Sequence, residues 1–307
     1  MAVSTGTASG HLDLLDRLQT FLAAQGWVID LWDAGTLVAH GPGASGADEV
    51  FVGAQAYADA AADAYGWTLQ GFTGYTAGLG FGQPGRIGAT PPILPLWDSD
   101  IPYWFVASGR RVVIVAQVST VFVAAYLGLI KPYGSPGQYQ YPLAVGGTGT
   151  GYETYRWSAT GVDARQFADP GEYTLNSGRT ALRLLHGGVW QGLRNVNGSS
   201  EYARSDKFVW PFSNQNRYPL TSTNTAARMG GCAITVQAPD GSPVLTPLIL
   251  GCATPSRETF GELEGCFHVS GQGLAAGDLV TVDSVDHLVV QNLYRTARAD
   301  YWDLALE

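Results

Sequence analysis

The sequence predicts an α+β fold, predominantly antiparallel β, with an N-terminal amphipathic helix and long Gly/Pro/Tyr-rich loops. Three observations predict it. Runs rich in aromatic and β-branched residues recur between turn-forming clusters, as strands do. One stretch near the start carries apolar residues at helical spacing. The chain holds 40 Gly, 16 Pro and 15 Tyr, gathered in part into segments with no regular period, which read as loops.

Element by element, Leu12, Leu15, Leu18 and Leu22 form one stripe with Leu14 and Phe21 beside it, while Asp13, Asp16, Arg17 and Gln19 face away. Gly26 is placed to end this helix. Residues 27–31 and 36–40 read as a hairpin turning at Asp33-Ala34-Gly35. Residues 49–55 read as a strand, and alanine-rich 56–65 as a short helix or an irregular crossover on propensity. The Gly/Pro-rich stretch 71–95 is expected to be loop. Residues 103–107 and 111–119 flank Ser108-Gly109 as a buried hairpin that continues into 121–127. Residues 134–151 read as a second irregular strip and the best place for a lobe boundary, giving lobes 1–145 and 146–307 or one continuous domain. Further on, 180–185 is expected to form a brief helix, and 232–237 with 244–250 a hairpin around Pro239-Asp240-Gly241-Ser242. Residues 266–270, 279–283, 288–293 and 301–306 read as strands. No tandem repeat stands out.

Composition limits the function classes. Of 307 residues, 46% are hydrophobic and 14% charged, so a monomer has little charge with which to cover its surface. Burial of part of that surface in an assembly would account for this. The net charge is −9 and Lys131 and Lys207 are the only lysines, which argues against general nucleic-acid binding. The most apolar run, 112–130, is broken by Gln117, Ser119, Thr120 and Gly128 and is rich in β-branched residues, so no membrane span is expected. The start MAVSTGTASG has neither the basic opening nor the apolar centre of a secretion signal, and the chain is expected to fold in the cytoplasm where it is made. Cys232, Cys252 and Cys266 match no zinc spacing and no paired disulfide framework, and are expected to be thiols in apolar surroundings, or, as the lesser alternative, to oxidise between subunits after cell lysis.

Motifs that could carry chemistry are weak. Gly80-Phe81-Gly82-Gln83-Pro84-Gly85 has the spaced glycines of a dinucleotide site, without the leading strand or following helix, and Pro84 removes a donor. The glycine run 146–151 lacks the ending of a phosphate loop. His11, His40, His186, His268 and His287 show no zinc-protease spacing, and Asp286-His287 with Asp283 reads as a polar turn before it reads as a metal or nucleophile site. Glu262 and Glu264 alternate on a strand, a solvated face on the simpler reading and a glycosidase carboxylate pair on the other. Asp98 and Asp100, between Trp97 and Tyr103, are the better candidates for a sugar site. There is no Gly-x-Ser-x-Gly elbow. No catalytic, cofactor or metal residue is therefore assigned.

Aromatic and arginine residues are the natural contact anchors. Trp157 and Trp302 belong to that composition. The candidates are Trp97, Tyr103, Trp104, Arg110, Arg111, Tyr133, Tyr139, Tyr141, Trp190, Arg194, Trp210 and Arg295. Part of the set should be ordinary core, and Arg110 and Arg111, at a turn, should be the least buried.

Two segments carry a resemblance: IPYWFVASGRRVVIVAQVSTVFVAAYLGLIKPYGSPGQYQYPLAVGG (101–147) and HLVVQNLYRTARADYWDLALE (287–307). Both resemble structural proteins of tailed-bacteriophage virions, and the likeness extends to 51–75 and 261–307. The resemblance implies a non-enzymatic, multi-copy ring or adaptor of the tail or baseplate, located in the virion, with copies of itself and other virion proteins as partners. A head–tail neck or collar component is the second placement, and a carbohydrate-binding host-surface adhesin the alternative of another class. A secreted hydrolase is disfavoured by the missing signal and nucleophile motif. No functional residue is carried over from the resemblance.

Overall fold

The computed structural model describes residues 1–88, 91–134, 142–150, 166–167, 181–193, 207–210, 237–252, 258–293 and 301–307. These are mostly antiparallel β, with one helix among them. The chain opens with β1 (Ala2–Ala8), which the sequence pattern does not reveal because Ser, Thr and Gly replace the usual apolar alternation. Helix α1 (His11–Ala24) follows and buries Leu14, Leu15, Leu18, Phe21 and Leu22. Leu12, expected on the same stripe, is instead exposed at the rim. The Ser9 backbone N–H, ahead of the helix, donates to Asp13 Oδ2 at 2.8 Å, while the His11 N–H of the first turn donates to the Trp97 carbonyl at 3.2 Å, and Gly26, at φ +81°, follows the last turn.

β2 (Val28–Asp33) and β3 (Thr36–Gly41) form the expected hairpin, with Ala34 and Gly35 both at positive φ as a two-residue turn requires. The alanine-rich stretch is neither helix nor crossover. It completes β4 (Val50–Asp59) and enters β5 (Ala64–Phe72), which pair along nine positions. Asp59 Oδ1 accepts the N–H groups of Ala61 and Ala62 and closes the turn, and full cross-strand pairing overrides the helix propensity of alanine. The end of the expected loop 71–95 instead enters β6 (Pro92–Leu96), an apolar strand paired to β5.

The central meander is β7 (Ile101–Ala107), β8 (Arg111–Val118) and β9 (Val121–Leu129), as the sequence predicts. Then come β10 (Lys131–Pro132), β11 (Leu143–Gly146), β12 (Gly149–Thr150), β13 (Leu182–His186) and β14 (Val189–Gly192). The brief helix expected at 180–185 is thus β13, whose leucines serve two cross-strand neighbours. The C-terminal part holds β15 (Lys207–Trp210), β16 (Thr246–Cys252), β17 (Glu258–Val269), β18 (Leu279–Val282), β19 (Val285–Gln291) and β20 (Tyr301–Ala305). Of the hairpin expected at 232–250, the turn at 238–242 and a bridge between Gln237 and Pro243 are present, while 232–236 lie outside the described residues.

The strands form three sheets, in the orders β1-β7-β8-β9-β11-β13-β14, β12-β6-β5-β4-β3-β2, and β15-β16-β17-β20-β19-β18 with β10 on β17. The boundary anticipated at 145/146 falls inside β11, which pairs with β9 and β13, so the first sheet runs across it. That sheet is the middle layer. On one face Val112, Ile114 and Ala116 pack with α1 and the second sheet, and on the other Val113 and Val115 pack with Leu248, Leu250, Trp302 and Leu304 of the third. A strand covered on both faces needs an apolar run, which β8 carries from Val112 to Ala116.

Candidate functional site

Where the first and third sheets meet, β17 departs from regular pairing. Phe267 lies opposite Pro247 and Glu262 opposite Ile249, so residues 263–266 bulge out across from Leu248. Gly265 supplies the positive φ (+78°) at this bulge. The displaced segment meets the β7–β8 turn and the end of β9. Arg110 Nε lies 3.6 Å from Glu264 Oε2, and Arg110 Nη2 donates to the Ile130 carbonyl at 3.0 Å. On the adjoining strand, Lys131 Nζ donates to Glu262 Oε1 at 2.9 Å and the Tyr133 hydroxyl donates to Glu262 Oε2 at 2.5 Å. Glu262 is largely buried and both its oxygens are engaged within the chain. The two glutamates are therefore neither a solvated face nor an open carboxylate pair. They are the acidic half of an ion-paired seam.

Beneath the seam lies Arg111, fully buried, against the expectation that a turn arginine is exposed. Its alternation along β8 points it, like Val113, between the sheets, and the bulge of β17 closes over it. Nη2 lies 3.0 Å from Met1 Sδ, and among the described residues Nε and Nη1 meet no hydrogen-bond partner. Tyr126 and Cys266 are buried nearby, the Tyr126 hydroxyl donating to the Leu129 carbonyl at 2.6 Å. Burial pushes the Cys266 thiol up to about 12 although the Arg111 charge pulls it down. Such a thiol stays protonated at neutral pH and is a poor nucleophile. Cys266 is thus a buried thiol, as expected; Cys232 and the side chain of Cys252 lie outside the described residues.

Among the described residues, several of the other contact candidates are engaged within the chain. Tyr103 is buried, stacked on Phe105 with centroids 4.3 Å apart, so it and Arg111 are removed from the set of surface anchors. Trp104 packs on Phe122. The indole N–H of Trp97 donates to the Asp100 carbonyl at 3.0 Å, and that of Trp190 to the Gly85 carbonyl at 2.6 Å. Tyr133 remains half exposed. Tyr139, Tyr141, Arg194 and Arg295 lie outside the described residues, as does the side chain of Trp210 on β15.

Near the proposed sugar site, Asp98 is exposed and 3.7 Å from His11 Nδ1. His11 is buried, and burial lowers its pKa against the raising effect of Asp98. His287 is likewise lowered by burial, while Asp286 accepts from Thr281 Oγ1 at 2.7 Å. Among the described residues no three His, Cys, Asp or Glu side chains gather as a metal site. In the glycine loop 80–85, the Gln83 amide accepts from Thr76 N–H and donates to the Gly80 carbonyl, holding the loop on itself.

Two joints escape sequence reading. Thr148 Oγ1 binds both the N–H and the carbonyl of Ala124, and Gln166 donates to the Phe122 carbonyl at 2.8 Å while its N–H donates to Asn292. Single polar residues of this kind carry no pattern that a sequence could reveal. No protein-family model matches the chain, and no curated protein matches it significantly.

Proposed function

We propose that this chain is a non-enzymatic structural component of a tailed-phage virion, present in many copies as a ring or adaptor of the tail or baseplate, with the head–tail neck as the second placement. The observation that carries the reading is the resemblance of 101–147 and 287–307 to virion structural proteins. The part of the fold built from those segments supports it: β7, β8 and β9 form the middle of the three-layer body, and β19 and β20 the middle of the third sheet. The polar groups that suggested chemistry are engaged within the chain, at Glu262, Glu264 and Gln83. Such a body acts by fitting neighbours rather than by transforming a substrate.

The test is the mass of the purified protein in solution together with cryo-electron images of the source particles. A discrete ring, or repeated copies in a tail, baseplate or neck, is the expected result. A compact monomer found in no particle overturns the reading, and glycan binding lost on changing Asp98 would replace it with an adhesin.

A further inference from the structure

The three sheets leave their edges in different states. β2 is interrupted by a register shift between Ile29 and Leu31 and carries Asp30 and Asp33. β12 has two residues, and β14, β15 and β18 have four each. Shortness, bulges and charge are the devices that stop an edge from pairing with another chain. β1 has none of them. Its seven residues pair with β7 at every position without a shift, and Ala2–Ala8 contains no charged residue and no proline. Val3, Thr5, Gly6 and Thr7 are exposed, and among the described residues nothing bonds to the outer side of the strand.

We infer that β1 is an association edge that pairs, antiparallel and across a two-fold axis, with β1 of a second copy of this chain. An open row of alternating N–H and C=O groups is satisfied by an extended backbone. Three features choose a second copy as the donor of that backbone. The chain carries a net charge of −9, so two copies repel over most of their surface, and β1 is an uncharged strip where they can approach. A two-fold contact requires a strand to match only itself, and seven small uncharged residues bring no like-charge pair together in any register. The other end of the same sheet, β14, is four residues long and would leave almost half of β1 open. One strand pair buries less than the roughly 1,000 Å² expected of a stable interface, so the dimer is weak and concentration-dependent in solution.

This inference rests on the multi-copy part of the proposed function and adds the contact. A β1 contact closes at two copies, so a ring containing it is built from pairs. The test is sedimentation of the full chain over a concentration series, with amide exchange read at β1. Dimerisation with slowed exchange at 2–8 is expected. Thr5→Lys, which sets two ammonium groups against each other near the axis, should weaken the dimer at least about tenfold. Ala62→Lys, the same charge change in the exposed β4–β5 turn, should leave it unchanged. A chain that stays monomeric at the highest concentration, or a dimer that Thr5→Lys leaves intact, overturns the inference. If that happens while the chain is found repeated in particles, the virion reading stands without it. A β1 dimer formed by a chain that no particle contains would uphold the contact and overturn the virion reading.

Discussion

A Cβ atom on Gly265 would lie 2.6 Å from Nη2 of Arg111. A side chain at position 265 would therefore push on the buried guanidinium of β8, and the φ of +78° at the bulge is a second reason for glycine. Gly265→Ala should destabilise the chain by about 2–4 kcal/mol, from backbone strain and overpacking together. A double-mutant cycle with Arg111→Ala checks the origin by chemical denaturation. The contact component should disappear in the double variant and the backbone component should persist.

Arg111→Met should be neutral or stabilise by up to about 3 kcal/mol, because a buried charge with unpartnered donors is replaced by a flexible apolar chain of similar length. The thermal midpoint reads this directly. A large loss would mean that the guanidinium holds the two sheets together electrostatically.

Much of the fold was legible because periodicity reports burial. The aromatic and β-branched runs around Ser108-Gly109 announced a buried hairpin, and the leucine stripe announced α1. The alanine-rich segment and residues 182–185 were misread because local propensity over a short stretch is overridden by pairing partners distant in sequence. Arg111 was misjudged because a residue beside a turn is normally exposed, and its cover comes from a bulge more than 150 positions later. Glu262 and Glu264 were visible as a pair, but Lys131, Tyr133 and Arg110 could be joined to them only by the third sheet.

Within the seam, Tyr133→Phe should cost about 1–2 kcal/mol, since it removes a hydrogen bond to a largely buried carboxylate. Lys131→Ala should cost less than about 1 kcal/mol, because the ammonium is mostly exposed and screened by solvent. Urea denaturation of the two variants should therefore separate two contacts made to the same glutamate. Equal losses would show that the ion pair matters as much as the phenol.

Asp303 sits in the middle of the third sheet, fully buried, opposite Phe267 on β17 and Val289 on β19, and neither carboxyl oxygen meets a hydrogen-bond partner among the described residues. Burial pushes its carboxyl well above the ordinary range. The folded state then favours the protonated acid more than the unfolded state does. Its contribution to stability is full below the ordinary value of 3.8 and is lost as pH rises through the raised folded value. Across that window the loss is about 1.4 kcal/mol per pH unit. His11 and His287, both lowered by burial, work the other way and withdraw stability as pH falls below 6.5. Comparing wild type with Asp303→Asn cancels the histidines. The variant should match wild type near pH 4 and exceed it increasingly toward neutrality, measured as denaturation midpoints from pH 4 to 8. A difference between the two that does not change with pH would show that Asp303 keeps an ordinary pKa in the folded chain.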